Sequence, residues 1–111
     1  MEKFIFKNCD YRILLEELKA QKVVIDAVIT DPPYGVSRKH QLGFSNMGRA
    51  GMDYGDWDYN FDQKEWIRLT APLIKAGGSI IVFNDWKNFS YIVEELDAQG
   101  FSMKDVIRWV K

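Results

Sequence analysis

Apolar side chains along the chain fall into short blocks set apart by polar and glycine-rich breaks, and their spacing changes from block to block. Phe4, Ile5 and Phe6 predict a short strand. After Asp10, which reads as a helix N-cap, Ile13, Leu14, Leu15, Leu18 and Ala20 recur at the helical period. Val23 to Thr30 is a β-branched run that predicts a buried strand, with Asp26, its one charge, on an exposed pleat. From Gly35 to about Asn60 no period holds, and a stretch of that length between regular elements predicts a functional loop. Asp62 then caps a second helix with Trp66, Ile67, Leu69, Leu73 and Ile74 on its apolar side, Pro72 as a kink and Ala76-Gly77-Gly78 as its end. Ser79 to Phe83 is too uniformly apolar for an exposed strand and reads as a central one. A third helix follows from about Trp86 to Ala98, with Phe89, Ile92, Val93 and Leu96 on one face and Gly100 as its stop. Phe101 to Val110, with Met103, Val106 and Trp109 alternating, predicts a further strand. Strand, helix, strand, helix, strand is the order of a parallel sheet with helical crossovers, so the fold class is α/β.

Composition narrows the picture without redirecting it. The length of 111 residues fits one domain, and 47% hydrophobic with 28% charged residues is ordinary for a globular chain. A net charge of −1 argues against a generally basic nucleic-acid binder, so contact with DNA must rest on a local patch. Cys9 is the single cysteine, which excludes an internal disulfide, fits a reducing cytoplasmic setting and suggests small buried filler. His40 is the single histidine, and no metal site is expected. No apolar run reaches the length of a membrane span, so no membrane partner is expected.

The chemistry gathers at Asp31-Pro32-Pro33-Tyr34, directly after the Val23–Thr30 run. Ligands collect at the carboxyl ends of strands in open α/β sheets. The two prolines fix their own φ and hold the preceding residues out of the helical region, so the tetrapeptide is stiff and extended. Neither has an N–H, but both keep a carbonyl. A carboxylate, bare acceptors and one aromatic face suit a planar, donor-rich guest such as the exocyclic amine of a nucleobase. That nitrogen becomes nucleophilic only when its N–H bonds are engaged as it pyramidalises, and Asp31 with the Pro32 carbonyl supplies two acceptors that favour the transition state. Tyr34 would stack on the base, which must first be flipped out of a duplex. In isolation the four residues also describe a plain turn. The stretch from Gly35 to Met52 carries Arg38, Lys39, His40 and Arg49 but no acid, together with Gly43, Gly48 and Gly51, and reads as a DNA-facing segment. Asn84 and Asp85 stand at the carboxyl end of the Ser79–Phe83 run, on the same side of the sheet as Asp31, where an N-cap role for the next helix is preferred to a pocket-lining one.

Taken in order, Asn8-Cys9-Asp10, Asp31 to Tyr34, Gly55-Asp56-Trp57-Asp58, Gly77-Gly78 and Trp109-Val110-Lys111 resemble the amino DNA methyltransferases of type II restriction-modification systems. The likeness is to the permuted arrangement with an amino-terminal D-P-P-Y motif, and it covers nearly the whole chain. It implies a Rossmann-like, S-adenosylmethionine-dependent fold, transfer of a methyl group to adenine N6, and double-stranded DNA as partner. A homodimer or a companion restriction endonuclease belongs to the same expectation. By the same likeness Asp31, Pro32, Pro33 and Tyr34 are catalytic and Asp10 and Asp31 contact the cofactor, while Arg38, Lys39 and Arg49 are expected to contact DNA from the local charge of their stretch. An Asp at the first motif position favours adenine over cytosine N4, and disfavours an RNA or protein amide substrate. The family's aromatic-Gly-x-Gly cofactor loop and its target-recognition region do not occur in these residues. The expectation is therefore an amino-terminal portion of a catalytic domain, incomplete at its carboxyl end and inactive alone, with a non-catalytic remnant as the alternative.

Overall fold

A computed structural model describes residues 4–35 and 61–108. Strands β1 (Ile25–Thr30) and β2 (Ile74–Val82) pair in parallel, and helices α1 (Tyr11–Ala20), α2 (Gln63–Thr70) and α3 (Phe89–Ala98) accompany them. The α/β class and the parallel pairing expected from sequence are present. Aligned pairs run from Ala27 with Ser79 to Thr30 with Val82, so both strands end together.

Helix α2 is the centre of packing. Gln63, Trp66, Ile67 and Thr70 recur at i, i+3, i+4 and i+7 and are all buried, Ile67 completely. Trp66, Ile67 and Ile92 of α3 form the core, with Tyr11, Phe61, Ile80, Val82 and Leu96 against it. Full burial of an isoleucine such as Ile67 or Ile92 contributes about 1.5–3 kcal/mol. Asp62 caps α2 as expected, accepting from the Lys64 and Glu65 amides at 2.9 and 3.1 Å. Asp26 lies on the exposed face, paired with Lys75 at 3.1 Å.

Several expectations are corrected. Phe4 to Phe6 form no strand and Phe4 and Phe6 are 81% and 87% exposed. Phe101 to Arg108 likewise adopt no regular structure, and Ile107 is 92% exposed. A strand needs a neighbour for its N–H and C=O groups, and among the described residues neither stretch has one. Cys9 is exposed, not buried filler. Neither strand is buried on both faces, against the buried strand expected over Val23–Thr30 and the central one over Ser79–Phe83: Val28 and Thr30 of β1 and Ile80 and Val82 of β2 are half-buried, whereas Ile29 and Ile81 on the opposite pleat are exposed.

The end of α2 also differs. Pro72 has no N–H to give the Arg68 carbonyl, so α2 stops at Thr70 and tightens into a 3-10 turn over Ala71–Leu73, with Ala71 still in the helical region, before the chain extends at Ile74. Ala76-Gly77-Gly78 then lies inside β2, not at a helix end. While β1 advances from Ile25 to Ala27, β2 advances from Ile74 to Ser79, so the surplus residues bulge out. Gly77 has φ +83°, and a Cβ on Gly78 would lie 2.5 Å from Ile74 Cγ2 and 2.8 Å from the Asp26 carbonyl oxygen. Glycine is required at both for different reasons, turn and close approach. Among the described residues no helix is long and apolar enough to cross a membrane.

Candidate active site

The sheet ladder runs up to the site. Phe83 N–H donates to the Thr30 carbonyl at 3.0 Å, carrying the register past Thr30 and Val82, so Asp31 stands level with Phe83 at the carboxyl ends of the strands and Asn84 follows one residue on. Asp31 is exposed, Pro32 buried, Pro33 and Tyr34 half-buried. The Tyr34 hydroxyl donates to Asp31 Oδ1. Desolvation, then this bond, then the charges of Asp31 and Asp85 push the Tyr34 phenol up to about 12, so it remains a neutral donor. Among the described residues the second carboxylate oxygen, Oδ2, meets no donor.

Behind the loop lies a set of amide side chains. Gln63 Nε2 donates to the Pro33 carbonyl at 2.6 Å, and Asn88 Nδ2 donates to the Tyr34 carbonyl at 2.5 Å. Gln63 Oε1 accepts from Trp66 Nε1 at 3.0 Å and from Asn84 Nδ2 at 3.2 Å. Asn84 Oδ1 accepts from Asn88 Nδ2 at 2.8 Å and from the Asp85 amide at 2.8 Å. Gln63 reaches this position because it opens α2 on the buried stripe, one turn before Trp66 and Ile67. Asn84 and Asn88 bracket the 3-10 turn Trp86–Asn88, and neither they nor Asp85 caps a helix with its side chain. Asp85 takes the N-cap position of that turn, as expected, though without a side-chain cap bond, whereas the Asn84 oxygen is committed to Asn88 and the Asp85 amide and so connects to the loop through Asn88.

Asp10 is the N-cap of α1, accepting from the Arg12 amide at 2.8 Å through Oδ1, while Oδ2 meets Arg12 Nη1 at 3.2 Å. It shares no hydrogen bond or ion pair with Asp31. Arg38, Lys39, His40 and Arg49, like Trp57 and Trp109-Val110-Lys111, lie outside the described residues. No group of three or more His, Cys, Asp or Glu able to hold a metal occurs among the described residues. Sequence reasoning missed Gln63 and Asn88. The 63-66-67-70 spacing was the available signal for Gln63, since it puts an amide on a buried stripe. Asn84 and Asn88 stand four apart, a distance at which side chains on a helical turn meet.

A family profile described as DNA methylase matches residues 25–111. Over 119 aligned residues the chain is 33% identical to the type II methyltransferase M2.LlaDCHI of Lactococcus lactis subsp. cremoris, an alignment covering 99% of this chain and 42% of that protein. It is 30% identical to the type II methyltransferase M.HpaI of Haemophilus parainfluenzae, over 77% of this chain and 25% of that one. Among solved structures, the M1.HpyAVI–SAM complex superposes with a TM-score of 0.63 at 29% identity, over 89% of this chain and 38% of that chain. The chain therefore spans 42% or less of the length of each of these relatives.

Proposed function

This chain belongs to the N6/N4 DNA methylase family, and from that premise we propose that it carries the amine-activating loop of a type II DNA methyltransferase acting on adenine N6. The observation that carries the reading is the pair Asp31 and Pro32 at the carboxyl end of β1. One is an exposed carboxylate, the other a carbonyl that no described residue engages, and both sit on a loop held from behind.

Asp31 accepts one N–H of a flipped adenine and the Pro32 carbonyl accepts the other, so the lone pair is drawn out of conjugation with the ring. Tyr34 stacks on the base. To do so it turns its hydroxyl away from Asp31 Oδ1, or leaves it there while the amine takes Oδ2. S-adenosylmethionine, when bound, supplies a methyl group made electrophilic by its sulfonium. The Asp31 carboxylate suits both that positive charge and a donor amine, and its exposure leaves room for either. With the cofactor bound, formation of the nitrogen–carbon bond would be matched by loss of the methyl carbon–sulfur bond, leaving a neutral thioether, and the proton shed by the nitrogen would pass first to Asp31, which is open to solvent. Asp10 contacts the cofactor's amino group by giving up the exposed Arg12 Nη1 contact while keeping its cap. Arg38, Lys39 and Arg49 contact the DNA backbone. A homodimer, or pairing with a restriction endonuclease, and a cytoplasmic setting belong to the same reading.

The test uses the polypeptide made from the complete reading frame that carries this chain, incubated with labelled S-adenosylmethionine and duplex DNA, followed by nucleoside digestion and mass spectrometry. N6-methyladenine is expected. N4-methylcytosine overturns the choice of base, and absence of any methylated nucleoside across a varied DNA substrate overturns the reading.

A further inference from the structure

The Pro32-Pro33 pair removes two backbone donors in succession, so this loop cannot be fixed through amides of its own at those positions. Donors from elsewhere must hold it by its carbonyls. We propose that Gln63 and Asn88 are positioning residues which take the Pro33 and Tyr34 carbonyls and so leave the Pro32 carbonyl, beside Asp31, as the acceptor for the substrate amine. This rests on the proposed methyl transfer for what the loop does, though not for the clamp itself.

The direction of every amide in the set is forced. An indole N–H can only donate, so Trp66 Nε1 at 3.0 Å fixes the oxygen end of Gln63, and the Nε2 end is thereby aimed at the Pro33 carbonyl. With Gln63 Oε1 an acceptor, Asn84 must present Nδ2 to it at 3.2 Å and Oδ1 to its other neighbours. The Asp85 amide, donor only, reinforces that choice at 2.8 Å. Asn88 must then present Nδ2 to Asn84, and the same nitrogen reaches the Tyr34 carbonyl with its second hydrogen. A backbone carbonyl can only accept, so both ends of the chain agree. Gln63 is 6% exposed and Trp66 4%, hence water cannot readily replace a lost partner. One donor-only group in the core thus dictates, through three amides, where two carbonyls of the loop must stand.

Gln63→Glu and Asn88→Asp are nearly isosteric but turn a donor into an acceptor facing a carbonyl. In the methyltransfer assay each should lower kcat by roughly ten- to a hundredfold, as sub-ångström to ångström misplacement does, with KM for DNA within about threefold. For Gln63→Glu, protonating the new carboxyl restores an O–H donor, so its kcat relative to the parent should climb as pH falls. A merely structural role would not produce that profile. Parent-like kcat in both variants, or a flat ratio against pH, overturns the proposal. Should a variant fail to fold, NMR of the unsubstituted protein decides: the Gln63 and Asn88 side-chain NH2 groups must show slowed hydrogen exchange and through-bond coupling to the Pro33 and Tyr34 carbonyl carbons. Free exchange of both overturns the clamp. That measurement needs no activity, so absence of methylation with an intact clamp would fault the functional reading and not this one.

Discussion

Helix α2 holds two neighbours by opposite means. Toward α1, beside the packing of the Tyr11 ring on the core, the polar attachment is ionic: Glu65 Oε1 accepts from Arg12 Nη2 at 2.6 Å, Arg12 Nε at 3.2 Å and the Tyr11 hydroxyl at 3.1 Å, with the Arg12 and Glu65 side chains 51% and 38% exposed. Toward the Asp31–Tyr34 loop the attachment is neutral and half-buried, made by Gln63, Asn84 and Asn88. Exposed ion pairs contribute about 0–1 kcal/mol and are screened by salt. They suit the docking of a helix, where a small slip costs little. Amides carry no net charge but fix direction, which is what a loop that must present one carbonyl requires. Neutral clamps hold the loop by its Pro33 and Tyr34 carbonyls without adding a cation to it.

The sharpest test of this division is to remove the group that the amides do not hold. Asp31→Ala should reduce methyl transfer by roughly 10²–10³-fold, in the range for losing one electrostatic partner of a transition state. Urea-melting stability should shift by no more than about 0.5 kcal/mol, because the residue is exposed and its loop stays clamped. Normal transfer in that variant would remove the chemistry from this end of the sheet.

Each region also holds a phenol next to a carboxylate, Tyr11 beside Glu65 and Tyr34 beside Asp31. Both are pushed up to about 12, by desolvation first and then by the hydrogen bond to that carboxylate. A group whose folded value lies above the unfolded one of about 10 contributes its stability in full below pH ~10 and loses it as pH rises through 12. Stability should therefore hold level up to pH ~10 and fall beyond it. Tyr11→Phe and Tyr34→Phe should each remove part of that fall, as read from urea melts across the range. An unchanged fall in both variants would disconnect it from these sites. A smaller effect separates the two attachments directly. Arg12→Ala should lower the urea midpoint only slightly at low salt and less still at ~0.5 M salt, where the screening length is only a few ångström. Exchange protection of the Gln63 and Asn88 side-chain amides should not respond to salt at all. If it does, the contrast between the two sides of α2 is lost.

The loop and its strand were legible in sequence because they depend on local rules: β-branched residues extend, and two prolines end the strand and stiffen the residues beside them. The caps at Asp10 and Asp62 were legible for the same reason, as side chain and amide are two or three residues apart. Phe4–Phe6, the described part Phe101–Arg108 of the last expected strand and the Ala76-Gly77-Gly78 break were misjudged because alternation and glycine content describe what a backbone tolerates. Which strand pairs with it, and in what register, is decided far away in sequence. Gln63 and Asn88 stayed hidden because an amide side chain looks the same in water as in a buried clamp. Only the partner carbonyls, 30 and 54 positions distant, distinguish the two.

The smallest effect concerns how α1 ends. α1 and α3 close with the same bonds: Lys22 N–H to Lys19 O and Val23 N–H to Leu18 O in one, Gly100 N–H to Asp97 O and Phe101 N–H to Leu96 O in the other. This closure needs a left-handed residue, and Gly100 at φ +91° meets that need freely, whereas Lys22 is held at φ +57°. An L-residue there costs about 1–2 kcal/mol, offset by the roughly 0.5–1 kcal/mol of extra chain entropy that glycine loses on folding. Lys22→Gly should therefore raise urea-melting stability by about 0.5 kcal/mol. Gly100→Ala should lower it by a similar or larger amount, and since nothing lies within 4 Å of the added Cβ the loss would be purely conformational. A gain at Lys22 would mean that α1 is limited more by its own strained end than by its docking on α2. A loss there would show that the Lys22 side chain contributes a contact worth more than the strain it bears.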